Sequence, residues 1–245
     1  MSSDGITYVG HATVLVALDG TRVLTDPVLR GRIGHIWRIA PLPPPETVVD
    51  LDAVLISHAH HDHLDMPSLR SVPAEVPVVA PPGCASLLRK SGHEVIEVEA
   101  GTSVRVGGAD VLAIPAEHEG RRLPTDNRLE TVGFVVGSRV AFFGDTDVFD
   151  GMADLGLDLD VALLPIWGWG PRVGPGHMNP ERAARAAALL RPRVVVPIHW
   201  GTLARPLVWW RAEPALPAHR FVEAMAEHAP DVAVHILAPG ERLAL

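Results

Sequence analysis

The stretch Ala53-Val54-Leu55-Ile56-Ser57-His58-Ala59-His60-His61-Asp62-His63 decides how this chain folds and where its chemistry sits. The first half is a short apolar run of strand character. The second half places four metal-capable side chains, His58, His60, Asp62 and His63, directly at the end of that run. His58 and His60 are two residues apart, so in extended backbone they project to the same side. Asp62 and His63 follow after a turn and face a second point in space. A solvated loop with chance histidines has no reason to repeat this spacing at the end of a buried strand. The tract reads as a metal site.

Outward from it, the N-terminal third reads as strands and turns. Thr13–Leu18 and Thr21–Thr25 are β-rich and separated by Asp19-Gly20, a strong two-residue hairpin signal. After the tract, Asp65-Met66-Pro67 opens a short helix, Val78–Ala80 is a strand, and residues 83–91 are helical up to Gly92. Two further hairpins are expected: residues 104–106 with 109–114 around Gly107-Gly108, and Val132–Val136 with 139–143 around Gly137-Ser138. The last third alternates strand and helix. Residues 161–164 form a strand. Asn179-Pro180-Glu181 supplies an N-cap, an N1 proline and a first-turn acid for an Ala-rich helix running to Leu190. Val194–Ile198 is a strand, 219–229 a helix, and 232–237 and 242–245 are closing strands around Pro239-Gly240. This pattern alone leaves α/β and α+β both open.

With 245 residues and 47% apolar content, the chain can bury a sizeable core. No linker or charge block divides it, so one domain spanning residues 1–245 is expected. Met1-Ser2-Ser3-Asp4-Gly5 has neither a basic nor an apolar stretch, so no signal peptide is expected, and no apolar run approaches the roughly 20 residues of a membrane helix. The single Cys84 excludes an internal disulfide, and a cytoplasmic location is the default. Pro81-Pro82-Gly83-Cys84 reads as a helix start rather than a nucleophile. The formal charge of −8, with no basic cluster longer than Arg121-Arg122, argues against nucleic acid as the main partner.

The HxHxDH pattern after a buried strand resembles the metallo-β-lactamase-fold hydrolases, and other matches are spread across the chain. Gly10-His11-Ala12-Thr13, Asp26-Pro27 and Gly176-His177-Met178-Asn179-Pro180-Glu181 resemble the branch that includes the N-acyl phosphatidylethanolamine phospholipase D and ascorbate-6-phosphate lactonase type enzymes. The resemblance implies an α/β fold, a four-layer αββα sandwich with the site at one edge. It also implies the remaining ligands: His118, Asp145 and His199, each after its own strand. In that scheme His58, His60 and His118 hold one metal, Asp62, His63 and His199 the other, and Asp145 bridges them. Two cations about 3.5–4 Å apart can clamp both oxygens of a displacement and lower the pKa of bound water from about 15.7 towards 7. Nitrogen and oxygen donors suit Zn2+, and they also accept Mn2+ or iron. A purely structural zinc site fits poorly, because such sites are four-coordinate and rich in thiolate.

Around this set, Asp62 has a second role as a proton relay to the departing group. His177 either contacts substrate or relays a proton, or it only helps its loop cap the following helix. Asp26 suits a carboxylate that accepts the second N–H of a ligating histidine. His11 either lines the site or bonds backbone. His61 points away, and His35, His93, His219, His228 and His235 match no motif. Residues 31–45, with Trp37 and three prolines, and Trp167-Gly168-Trp169-Gly170-Pro171-Arg172 read as pocket rims or as ordinary packing. Arg121, Arg122 and Arg172 are candidates for a substrate phosphate or carboxylate, or are solvated.

The leading expectation is a binuclear hydrolase in which a metal-bound hydroxide attacks a phosphodiester or phosphorylated small molecule. A lactone or other cyclic ester is the alternative within that class. β-Lactam cleavage is disfavoured because Asp145 stands where lactamase lineages often place a cysteine. An iron-dependent redox or oxygen-binding protein is a second class, and a non-catalytic scaffold, which an intact ligand set disfavours, is a third.

Overall fold

In the computed structural model, which describes residues 4–120, 129–170, 172–206 and 213–245, strand residues alternate between two destinations. The first half supplies β1 (Gly5–Gly10), β2 (Thr13–Leu18), β3 (Thr21–Thr25), β4 (Arg32–Ile33), β5 (Ile36–Arg38), β6 (Ala53–Leu55), β7 (Val78–Ala80) and β8 (Val95–Glu97). The second supplies β9 (Ser103–Val106), β10 (Ala109–Pro115), β11 (Val132–Val136), β12 (Val140–Phe142), β13 (Val161–Pro165), β14 (Val194–Ile198), β15 (Leu203–Ala204), β16 (Ala233–Val234) and β17 (Arg242–Ala244). They build two seven-stranded sheets, β17-β1-β2-β3-β6-β7-β8 and β16-β14-β13-β12-β11-β10-β9, and a small sheet β15-β5-β4.

Period-two burial sets the layers. Val140, Phe142, Val161, Leu163, Val196 and Ile198 meet Val14, Val16, Ala53 and Leu55 in the core between the large sheets. The intervening residues Ala141, Ala162, Leu164 and Val195 face outward and are covered by helix. On the first sheet Val54, Val78 and Ala80 face the other outer layer. The strands are therefore buried on both faces, which explains their continuous apolar sequences. Helices α1 (Met66–Leu69) and α2 (Cys84–Leu88) cover the first sheet, and α3 (Pro180–Leu190) and α4 (Leu216–His228) cover the second. The result is the αββα sandwich. Among the described residues no helix is long and apolar enough to cross a membrane.

The local signals act as read. Asp19 and Gly20 have φ of 51° and 79°, and Gly137 and Ser138 57° and 58°, the paired positive values of a type I′ hairpin turn. Asn179 caps α3 by accepting the Arg182 N–H, and Asp65 caps α1 by accepting that of Ser68. Several boundaries move. The 83–91 helix is only Cys84–Leu88, and the 219–229 helix starts earlier, at Leu216, with Pro217 in its first turn. The 232–237 strand pairs only over Ala233–Val234, parallel to β14, whereas β17 pairs with β1 in the other sheet. Pro239-Gly240 therefore joins two sheets rather than two neighbours.

Strand direction positions the site. β1, β3 and β6 run one way in the first sheet, β10, β12, β13 and β14 share one direction in the second, and chemistry-bearing residues follow each of them. A register shift between Tyr8 and Gly10 ends β1 in a bulge, a device that re-aims a chain. Gly10, at φ 127°, is required there, because a Cβ would lie 2.8 Å from Arg38 and Thr202 atoms. Two bonds then tie the sheet edges together: the His199 N–H donates to the His11 carbonyl at 2.8 Å, and the Tyr8 hydroxyl donates to the Trp200 carbonyl at 3.0 Å.

Tyr8 is the only tyrosine, so its titration can be followed in isolation. Burial pushes the phenol up to about 12, and its hydrogen bonds offset that only in part. A raised folded-state pKa contributes stability that is complete below the unfolded value near 10 and is lost as pH rises through about 12. Phenolate absorbance of the folded protein is expected to rise near pH 12. A transition at the ordinary tyrosine value in protein that stays folded would contradict this burial.

Candidate metal centre

The His58–His63 tract leaves the end of β6, and His118, Asp145 and His199 follow β10, β12 and β14. All seven side chains singled out by the sequence come together. His58, His60, His118 and Asp145 each place a ligand-capable atom within 4.8 Å of one another. Asp62, His63 and His199 form a second set by the same criterion, and His11 joins them. Asp145 touches both groups: Oδ2 lies 3.9 Å from His58 Nε2 and 3.1 Å from His63 Nε2, and Oδ1 lies 3.1 Å from His199 Nε2.

The second nitrogens are engaged elsewhere, which fixes the rings. His118 Nδ1–H donates to the Gly176 carbonyl and His199 Nδ1–H to that of Trp167, both at 2.8 Å. His63 Nδ1 meets Asp26 Oδ2 at 2.6 Å, and His58 Nδ1 meets the Ser57 hydroxyl at 3.0 Å. Asp26 also accepts the Ser57 N–H at 2.7 Å and its hydroxyl at 2.5 Å. Orientation of this kind is what metal-ligating histidines require.

Electrostatics then make the case for a cation. Burial pushes His118 down to about 4 and His199 to about 3, against opposing pulls from Asp145, so both are neutral at pH 7. With Nδ1 donating, their Nε2 atoms present bare lone pairs. His118 Nε2 lies 3.1 Å from His60 Nδ1, and His199 Nε2 lies 3.1 Å from His63 Nε2 and from the acceptor Asp145 Oδ1. Asp145 Oδ1 is buried without a hydrogen-bond partner, although His199 Nε2 is close by, because no proton lies between them. An acceptor-rich cluster of this kind is repulsive without positive charge at its centre, and divalent metals fit its donor set.

The remaining groups respond to their neighbours. Burial would lower His63, but Asp145 and Asp26 on either side raise it well above the usual range. His58 falls well below it through burial and the adjacent His63. Burial would raise Asp62 and Asp145, yet both carboxyls are held well below the usual range, Asp62 first by its bond from His11 and Asp145 first by His199 and His63.

His177 sits at the open side. Its Nε2 is 3.3 Å from Asp145 Oδ2, and burial is outweighed by that carboxylate, which raises its pKa. Asn179, not His177, caps α3. Two contacts escaped the sequence. The indole Nε1–H of Trp169 donates to Asp62 Oδ2 at 2.9 Å, and His11 Nε2 reaches the same oxygen at 3.1 Å. The Gly-His-Ala-Thr and Gly-Trp-Gly motifs marked these residues without indicating what they touch. His61 is exposed, as expected. His93 bonds the Val76 and Leu69 carbonyls, His228 pairs with Glu181, and His35, His219 and His235 are exposed. Cys84 is buried beneath the first sheet. Of the two rims, Trp167 and Trp169 adjoin the site, whereas Pro41, Leu42, Pro43 and Pro44 line a different pocket and Trp37 is 46% exposed. Arg172 is exposed, and Arg121, Arg122 and Pro171 lie outside the described residues.

A family model described as "Beta-lactamase superfamily domain" matches residues 21–200. The chain belongs to that family. It is 36% identical over 256 residues to a UPF0173 metal-dependent hydrolase of Rubrobacter xylanophilus, covering 97% of this chain and 95% of the relative. It is 32% identical over 237 residues to N-acyl-phosphatidylethanolamine-hydrolyzing phospholipase D 1 of Caenorhabditis elegans, covering 85% and 67%. Igni18, a metallo hydrolase from the archaeon Ignicoccus hospitalis, superposes with a TM-score of 0.73 at 25% identity, covering 100% of this chain and 99% of that one. This member of the superfamily is thus a metal-dependent hydrolase with the metallo-β-lactamase fold and His/Asp clusters able to bind metal ions.

Asp26→Ala leaves the His63 and Ser57 donors buried without their acceptor. Stability is expected to fall by about 3–5 kcal/mol, as when one partner of a buried charged pair is removed. Metal affinity should fall about 10- to 100-fold, the usual cost of losing an orienting carboxylate. Chelator competition on the folded fraction measures the second effect, and wild-type affinity would remove Asp26 from the support of His63.

Proposed function

We propose that this chain is a binuclear hydrolase of phosphodiesters or phosphorylated small molecules, built as one domain over residues 1–245. In this reading His58, His60 and His118 would hold one divalent ion and Asp62, His63 and His199 the other, with Asp145 shared between them. The observation that carries it is the convergence of His58, His60 and His118 on one side of the buried Asp145 carboxylate and of Asp62, His63 and His199 on the other, with the His118 and His199 imidazoles held neutral by burial. Zinc suits the all-nitrogen and oxygen donor set, with manganese and iron as the competing metals. The single cysteine, which excludes an internal disulfide, suits a cytoplasmic enzyme. The activity named for the Caenorhabditis elegans relative favours a phosphodiester over a lactone.

Divalent ions bound there would supply Lewis acidity and a water-derived nucleophile at neutral pH. The chain's own groups do the rest. Asp62 Oδ2 accepts from His11 and Trp169 and lies 3.9 Å from His63 Nε2 and 3.8 Å from His199 Nε2, so the fixed carboxylate would take the proton of the attacking water and return it to the departing oxygen. His177, a quarter exposed beside Asp145, offers Nε2–H to a substrate oxygen at the open side. The balance is simple: one P–O bond forms from water, one P–O bond to the leaving group breaks, and the proton ends on that leaving oxygen. The buried walls contributed by both sheets keep bulk water from the carboxylates.

The direct test is turnover of bis(p-nitrophenyl) phosphate, p-nitrophenyl phosphate and a simple lactone by protein loaded with zinc, manganese or iron. The diester is expected to be cleaved fastest, and a lactone preference would overturn the substrate assignment. Asp145→Ala should keep the fold, since Val140 and Phe142 still pack between the sheets, yet lose most of its metal and its activity. Metal content equal to wild type would contradict the bridging role. His177→Ala should retain metal and lose about 100- to 10,000-fold in kcat, the usual range for a general acid–base group. Wild-type turnover per metallated enzyme would remove His177 from the mechanism.

A further inference from the structure

Asp62 Oδ2 is gripped from two directions by residues of different character. From the core comes His11 at 3.1 Å, itself anchored because its N–H donates to Thr202 Oγ1 at 2.8 Å and its carbonyl accepts the His199 N–H at 2.8 Å. From the rim comes Trp169, whose indole Nε1–H donates at 2.9 Å across 107 residues of sequence. An indole N–H can only donate, and a bond to an ionised carboxylate is stronger than one to a neutral acceptor. The ring that carries this donor is itself held. It packs against the cluster of Val28, Ile33, Ile36 and Leu203, and the Arg205 guanidinium lies 4.5 Å from its centroid.

The same ring has a second surface. With Trp167, Gly168, Leu203, Ala204 and Pro217 it lines a small pocket open to solvent, with a cavity volume of about 50 Å³. That pocket adjoins the metal-capable cluster, because the Trp167 carbonyl accepts from His199 and a Cβ on Gly168 would lie 3.9 Å from the His199 ring. We propose that Trp169 is a positioning residue: its indole N–H fixes the Asp62 carboxylate for metal binding and proton transfer, while its ring forms the pocket wall on which the substrate's apolar part rests. A group seated in the pocket then bears on Asp62 through one rigid side chain. The inference rests on the reading of Asp62 given above as metal ligand and proton carrier.

Two replacements of Trp169 test it in the full chain. Trp169→Phe removes the N–H and part of the wall, and benzothienylalanine at the same position keeps the bicyclic wall and removes only the N–H. Zinc affinity is read by competition with a chelating dye, and kcat and KM are read with bis(p-nitrophenyl) phosphate. Both proteins should lose about 10- to 100-fold in zinc affinity at the weaker site or in kcat, with KM for this small probe little changed. A purely structural role would lower thermal stability without that split between kcat and KM. Wild-type zinc affinity and kcat in the benzothienylalanine protein would overturn the proposal, even if Trp169→Phe is impaired, since the wall alone would then matter. Should Trp169→Phe fail to fold, the isosteric replacement decides. Should the wild-type enzyme leave the diester intact, the phosphodiester reading fails, and zinc affinity alone decides the place of Trp169.

Discussion

Everything at the sheet edge answers to one constraint: the buried Asp145 carboxylate sits among imidazoles, and the nitrogen that faces its Oδ1 has no proton to give it. His199 spends its Nδ1–H on the Trp167 carbonyl, so only a lone pair faces Asp145 Oδ1 at 3.1 Å. Oδ1 itself has no hydrogen-bond partner despite full burial. A buried arrangement of this kind needs positive charge at its centre. On the other side His63 is drawn between Asp145 and Asp26, which together hold its proton, and Asp145 also raises His177. Destabilising contacts concentrated at one edge require the rest of the fold to hold them, and the two-sided burial of the strands does that.

The backbone carries part of the cost. His11, Asp26 and His199 have φ of 58°, 35° and 64°, values that L-residues adopt reluctantly. Each sits just after a strand, where the chain must turn sharply to bring its side chain over the sheet edge. Gly144, at φ 58°, performs the same turn before Asp145, and a Cβ there would meet Ser57 Cβ at 2.6 Å. That close approach lets the strand end carrying Asp145 lie against the one carrying His58. Strain and close packing at these turns are compensated by the bonds joining them, notably His199 N–H to the His11 carbonyl and the three contacts on Asp26.

Rigidity of the inner shell contrasts with the composition of the rim. The residues facing Asp145 from the core are fixed by backbone carbonyls and buried carboxylates, whereas Trp167, Gly168, Trp169 and Gly170 form a loop after β13 whose contacts are few and specific. Loops of this kind set what a site accepts, while the scaffold sets what it can do. The chain follows that division: the metal-capable cluster draws on strand ends of both sheets, and the adjoining pocket draws on loop aromatics.

The sequence by itself determined most of the longer strands, the hairpin turns, the α3 cap and the four metal-capable side chains of the tract, because each depends on local patterns. Alternating burial, paired turn residues and the HxHxDH spacing are properties of neighbouring residues, and Asn179 needs only the N–H of Arg182 to cap its helix. The assembly of His118, Asp145 and His199 with the tract came from resemblance, since no local rule brings such distant residues to one point. Tertiary structure alone decided that Pro239-Gly240 joins two sheets, that His11 reaches Asp62 rather than only backbone, and that Trp169 donates to the same oxygen. Those contacts depend on the angle at which two sheets meet and on turns with positive φ, and neither quantity is written in the order of residues along a single strand.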